Sequence, residues 1–158
     1  MQIYVDADAC PVKDEVYRVA KRYGLKVSVV ANTSIRVPVD PLVESVVVKG
    51  GLNVADDWIA ERAGPDDLAI TSDIPLAERC IRRGARVLGP NGRTFDESSI
   101  GAVLATRDLL DQLRGGGYVG GGPPPFAKAD RSRFLAKLDD AIQSILRDRK
   151  KRGLAPPG

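Results

Sequence analysis

Histidine is absent from this sequence, and that absence excludes more chemistry than any other feature. No Ser-His-Asp triad, Cys-His pair or histidine-ligated zinc site can be assembled, and imidazole acid–base catalysis is ruled out. Cysteine is scarce too: Cys10 and Cys80 fall in different expected elements without metal-ligand spacing, so reduced, unpaired thiols are expected. Long apolar runs are missing. No stretch approaches a membrane span, and the N-terminus lacks the basic start and apolar core of a signal peptide. A cytoplasmic location without a membrane partner is the expectation.

Hydrolytic chemistry in such a chain falls to carboxylates, and carboxylates favour hard cations such as Mg²⁺ and Mn²⁺. At 158 residues the chain is long enough for one domain with a proper core. That domain is expected over residues 1–149, including a docked C-terminal helix at 130–149, with 150–158 as a disordered tail. Charge is unevenly spread. From Lys128 onward there are nine basic and four acidic residues, against fifteen and seventeen before it. The basic end permits contact with a polyanion such as RNA or single-stranded nucleic acid, although a basic run at a chain end is also what a solvated tail looks like.

The opening stretch, M-Q-I-Y-V-D-A-D-A-C-P-V, organises the rest. Ile3, Tyr4 and Val5 read as a short buried strand, halted at Asp6, with Asp8 two residues on and Pro11 starting a helix. Two carboxylates therefore stand at the carboxyl end of a strand, the edge where open α/β sheets bind ligands. The alternative is that both merely cap a turn and the helix after it.

Taken in order, the pattern predicts a helix over 11–23 stopped by Gly24, a strand over 26–31, a loop over 32–41, and a strand over 45–49. A helix over 53–63 follows, with Asn53 as its cap. Next come a strand over 68–71, a helix over 74–83 with Pro75 in its first turn, and a short strand over 86–88. A fourth helix is expected between Phe95 and Leu113, beginning near Asp96 or Ser98. The run Gly115–Pro125 reads as a linker, and 130–149 as an amphipathic helix with Phe134, Leu135, Leu138, Ala141, Ile142, Ile145 and Leu146 on one stripe.

Strands alternating with helices imply a parallel sheet with right-handed crossovers. If the first and fourth strands are neighbours, the crevice between them is the switch point of the sheet. Asp6, Asp8 and Asp73 then meet there with Asp56 and Asp57, which open the helix before the fourth strand. Such a cluster is electrostatically costly unless cations or protons neutralise it.

The motifs V-D-A-D-A-C-P-V-K at 5–13, A-N-T-S-I-R-V-P at 31–38, V-A-D at 54–56, T-S-D-I-P-L-A at 71–77 and D-R-x-R-F at 130–134 together resemble the bacterial YaiI/YqxD family, a domain of unknown function within the PIN-like nuclease superfamily. The resemblance runs from Met1 to about Leu146. It implies a three-layer α/β/α sandwich with a parallel sheet of about five strands in the order 3-2-1-4-5. It also implies that Asp6, Asp56 and Asp73 stand where PIN-like nucleases place metal-binding carboxylates, with Asp8 and Asp57 supporting them. Asn53 departs from related sequences, which often carry an acid there, and is left out of the metal set.

Metal-assisted phosphodiester hydrolysis follows as the leading expectation. Asp6, Asp8, Asp56 and Asp73 are its catalytic carboxylates, and Mg²⁺ or Mn²⁺ its cofactor. Thr71 and Ser72 are expected to hydrogen-bond the site, and Lys13 and Arg36 to contact phosphate. Two other readings remain open. A catalytically silent nucleic-acid-binding or regulatory module would keep the fold and the basic end without turnover. A haloacid-dehalogenase-type phosphatase would use Asp6-Ala7-Asp8 to form a phosphoaspartate, but no later lysine motif accompanies it, and the chain is short for that fold with a cap.

Overall fold

A computed structural model describes residues 1–51, 53–100 and 127–153. The first strand, β1 (Gln2–Asp6), lies inside the sheet because Ile3, Tyr4 and Val5 have no polar face to show to water, and all three are buried. Its neighbours are β2 (Lys26–Ala31) and β4 (Leu68–Ile70), both parallel to it. Beyond β2 lies β3 (Val43–Val47), beyond β4 lies β5 (Arg86–Leu88), and the full order is 3-2-1-4-5-6. The adjacency of the first and fourth strands, on which the convergence of aspartates depended, is therefore present.

The sixth strand, β6 (Thr94–Phe95), is antiparallel to β5 and was not expected. The turn Gly89–Gly92 closes a short hairpin, so Phe95 ends a strand, and the helix expected to begin near Asp96 or Ser98 starts just after it. Residues 97–100 are helical, and Asp96 caps them through its Oδ1, which accepts from Ser99 N at 2.7 Å. The remainder of the helix expected to reach Leu113, and the linker Gly115–Pro125, lie outside the described residues.

Among the described residues, helices α1 (Lys13–Tyr23), α2 (Val54–Arg62), α3 (Ile74–Arg82) and α4 (Lys128–Lys151) flank the sheet. One face of the sheet carries Ile3, Val5, Val27, Val29, Leu68 and Ile70, which pack with Val16 and Val19 of α1 and Phe134, Leu138, Ile142 and Ile145 of α4. The other carries Tyr4, Val30 and Ala69 against Ile59 of α2 and Leu76 and Cys80 of α3. The stripe read from the sequence of the last helix divides accordingly. Four of its residues are buried, while Leu135, Ala141 and Leu146 pack partly buried at the margin.

Several boundaries differ from expectation for local reasons. Helix α1 starts at Lys13 because Ala7–Ala9 form a 3₁₀ turn and Val12 is the N-cap, which leaves Pro11 outside. Strand β3 starts two residues early, since Val27 N donates to Leu42 O at 2.8 Å and fixes its register against β2. Asn53 precedes α2 in the left-handed conformation, φ +70°, and its side chain makes no capping bond. Asn tolerates that conformation better than most residues. Helix α4 includes Lys150 and Lys151, and residues 154–158 lie outside the described ones.

Helix α4 runs antiparallel to the strands and touches both ends of the sheet. At the carboxyl edge, Gly92 (φ +89°) lies so close that a Cβ would stand 2.7 Å from Arg133 Cγ and 3.1 Å from Phe134 N. At the amino edge, Arg86 donates to Ser144 and Asp148 at 2.5 Å each, and Arg149 pairs with Asp66 at 3.2 Å. No helix among the described residues is long and apolar enough to cross a membrane.

Candidate functional site

The described residues bury two polar side chains completely, Ser28 and Thr71. Ser28 belongs to the amino half of the sheet, where Gln2 donates to its hydroxyl and it donates to Glu44. Thr71 directly follows β4 and holds the carboxyl edge together. Its Oγ1 donates to Asp6 Oδ2 at 2.8 Å and accepts from Asp73 N at 2.9 Å. The register explains the first bond: Val5 is opposite Ile70, so Asp6 at the end of β1 is opposite Thr71. Asp73 in turn is the N-cap of α3, where its Oδ1 accepts from Leu76 N at 2.9 Å. One hydroxyl thus spans the switch point and ties the two aspartates to each other.

Asp56 joins them from the first turn of α2. Burial raises its pKa most, the charges of Asp73 and Asp6 raise it further, Arg79 opposes them, and the result is a carboxyl pushed up to about 6. Asp6 is shifted the same way. Burial raises it, the Thr71 hydrogen bond lowers it, and the two charged groups acting on it, Asp8 and Asp73, both raise it. Carboxylates from three separate elements therefore sense one another at one edge, and the charges bearing on Asp6 are acidic.

The other expected residues are more dispersed. Asp8 is exposed on the 3₁₀ turn. Asp57 points away to a surface ion pair with Arg79 at 2.6 Å. Ser72 and Arg36 are exposed. Lys13 faces inward, its Nζ donating to Cys10 O at 2.8 Å and Ala7 O at 3.2 Å, so its ammonium is already engaged. Arg79 of α3, which the sequence does not single out, is the cation that acts on Asp56. Its i, i+3 spacing with Arg82 hid this, because only the packing of α3 on α2 brings it to Asp57. The Cys10 thiol is raised as well; burial is the main cause, with Lys13 opposing and Asp6 a lesser contributor.

The oxygen-only donor set suits a hard divalent cation in kind. Among the described residues, however, no group of three or more Cys, Asp or Glu side chains already stands close enough to hold an ion. Asp6 and Asp73 each commit one oxygen to the Thr71 and α3 bonds, so coordination would draw on their other oxygens together with Asp56.

Without metal, the raised carboxyls have a defined consequence. An acid whose folded pKa exceeds its unfolded value contributes stability below the unfolded pKa and loses it as pH rises through the folded one. In a chelator, the stability of the wild type relative to Asp56→Asn should therefore fall as pH rises from about 4 to about 6. Urea titrations of both proteins across that range measure it, and a flat difference contradicts the coupling.

The comparisons agree with this arrangement of motifs. A model of the family described as "Uncharacterized BCR, YaiI/YqxD family" matches residues 4–144. A UPF0178 protein of Rhodopseudomonas palustris (strain BisB18) is 60% identical over 149 residues, covering 94% of this chain and 96% of that protein. Another from Parvibaculum lavamentivorans is 58% identical over 146 residues, 92% of this chain and 96% of that protein. A third, from Bradyrhizobium diazoefficiens, is 58% identical over 148 residues, 94% of this chain and 89% of that protein. No solved structure matches. With a family model spanning nearly the whole described fold and relatives of this similarity, the chain belongs to the YaiI/YqxD family.

Proposed function

We propose that the carboxyl edge is the active site of a metal-dependent nuclease that hydrolyses phosphodiesters in RNA or single-stranded nucleic acid. The observation that carries this reading is the Thr71 hydroxyl that joins the Asp6 carboxylate to the backbone of Asp73 across the switch point, at an edge where Asp56 is raised by burial and by both charges. The PIN-like resemblance supports the same positions. Asp6 and Asp73 would hold Mg²⁺ or Mn²⁺, with Asp56 as the third ligand and Asp8 at the rim. A cation bound there would supply activated water and neutralise charge on the leaving oxygen.

The chain's own residues have separable tasks. Thr71 orients Asp6 and fixes the start of α3. With no cation present, Asp56 takes up a proton as pH falls through about 6, which limits the repulsion within the cluster. Exposed Arg36 would contact phosphate, as would Arg79 in exchange for its ion pair with Asp57. Guanidinium groups suit that role because their planar fork matches phosphate oxygens.

Labelled single-stranded RNA incubated with the purified protein and Mn²⁺ tests the reading. Cleavage should require the metal, stop with chelator and be lost in Asp6→Asn. Cleavage that survives in Asp6→Asn places the chemistry elsewhere. RNA binding without cleavage would instead mark a nucleic-acid-binding module.

A further inference from the structure

The turn between β1 and α1 carries Asp8 and links Asp6 to the first helix. The backbone bond that closes it, from Cys10 N to Ala7 O, is long, 3.4 Å. Neither Asp6, at the start of the 3₁₀ turn, nor Val12, at the start of α1, supplies a side-chain cap. Cationic side chains fill the gap. Ala7 O and Cys10 O both accept from Lys13 Nζ, at 3.2 and 2.8 Å, and Pro11 O accepts from Arg131 Nη1 of α4 at 2.9 Å. Three carbonyls within five residues are thus held by two cations.

Lys13 is otherwise poorly placed. It is the first residue of α1, where the helix dipole favours acids, and Asp14 and Glu15 follow it in the same turn. Side chains on a helix tilt toward its N-terminus, so the Lys13 stem is aimed back at the turn by the helix geometry itself. Lys13 is half-buried, and its ammonium donates to two carbonyls.

We propose that Lys13 is a positioning residue of the acidic edge: its ammonium, seated between two backbone carbonyls of the 7–10 turn, fixes the shape in which Asp6 and Asp8 are presented. This replaces the phosphate-contacting role expected for it from the sequence. The link to cation binding rests on the reading given under the proposed function; the link to the shape of the turn does not.

Lys13→Met and Lys13→Arg separate the two. In metal-free protein, amide hydrogen exchange over residues 7–12 should accelerate at least about tenfold in Lys13→Met, with β4 and β5 unchanged, because the opening is local. Lys13→Arg, which still offers cationic donors to the carbonyls, should return exchange to within about threefold of wild type. In a Mn²⁺ titration, Lys13→Met should weaken binding about tenfold, the scale on which support behind a metal ligand acts, and Lys13→Arg should recover most of it. Simple charge deletion would do the opposite, since removing a positive group beside carboxylates tightens cation binding.

Unchanged exchange in Lys13→Met overturns the proposal, as does exchange accelerated equally across the whole protein, and as does tighter Mn²⁺ binding. If the wild type takes up no Mn²⁺, the metal reading fails, and the exchange measurement decides the role of Lys13 by itself.

Discussion

Phe134→Ala should cost about 3–5 kcal/mol, the range for deleting a fully buried aromatic ring from a core. Phe134 has no exposed surface and packs in the cluster that joins β1, β2, β4, α1 and α4. Its backbone nitrogen also lies where Gly92 approaches α4, so the surrounding chain has little room to collapse into the cavity. A domain with about 5–15 kcal/mol in total would lose a large share of its stability. Urea unfolding should show a lower midpoint with an unchanged slope, because the surface exposed on unfolding stays nearly the same. Leu135→Ala, at the partly buried margin of the same stripe, should cost distinctly less. A Phe134→Ala loss below about 1 kcal/mol would mean that α4 is not part of the core.

Mn²⁺ at one hundred times its dissociation constant should stabilise the wild type by about 2.7 kcal/mol, by mass action on the folded state alone. The same concentration should leave Asp6→Asn/Asp73→Asn unmoved. Asn is the informative replacement at both positions: it can still accept from Thr71, and it remains a good N-cap for α3. Any lost response to Mn²⁺ is then a loss of charge and not of structure. In a chelator at pH 7, the double variant should be at least as stable as the wild type. It no longer confines like charges at the edge, and the carboxyls it removes include one that burial and its neighbours push up in pKa. Thermal melts with Mn²⁺ and with chelator give both quantities. Equal stabilisation of wild type and double variant would place the ion elsewhere.

The central strands were legible because their residues admit no other environment. Ile3-Tyr4-Val5 and Val27–Ala31 contain too little polar surface for an edge, and both lie inside the sheet. Asp6 and Asp73 were legible for the same reason, since a carboxylate that ends such a strand, or begins the helix after one, stands at the ligand-binding edge. Residues whose role depends on packing across elements were not legible. The interaction of Arg79 with Asp57 and Asp56 exists only because α3 lies against α2. Lys13 read as a phosphate contact because nothing in the string shows a side chain folding back onto carbonyls three and six residues earlier. β6 was missed because two residues carry no periodicity, and its pairing depends on the hairpin turn and not on pattern. Asp56 and Asp57 differ through helix geometry: adjacent residues on a helix point about 100° apart, and Asp57 is the exposed one, paired with Arg79.

Anomalous scattering from a crystal equilibrated with Mn²⁺ tests the central claim most directly. One peak should lie within bonding distance of Asp6 and Asp73, with Asp56 turned toward it and the Thr71 bond to Asp6 intact. A site free of Mn²⁺ at saturating concentration, or a peak bound only to Asp57 or to other surface acids, would contradict the claim that this edge is built to hold a cation.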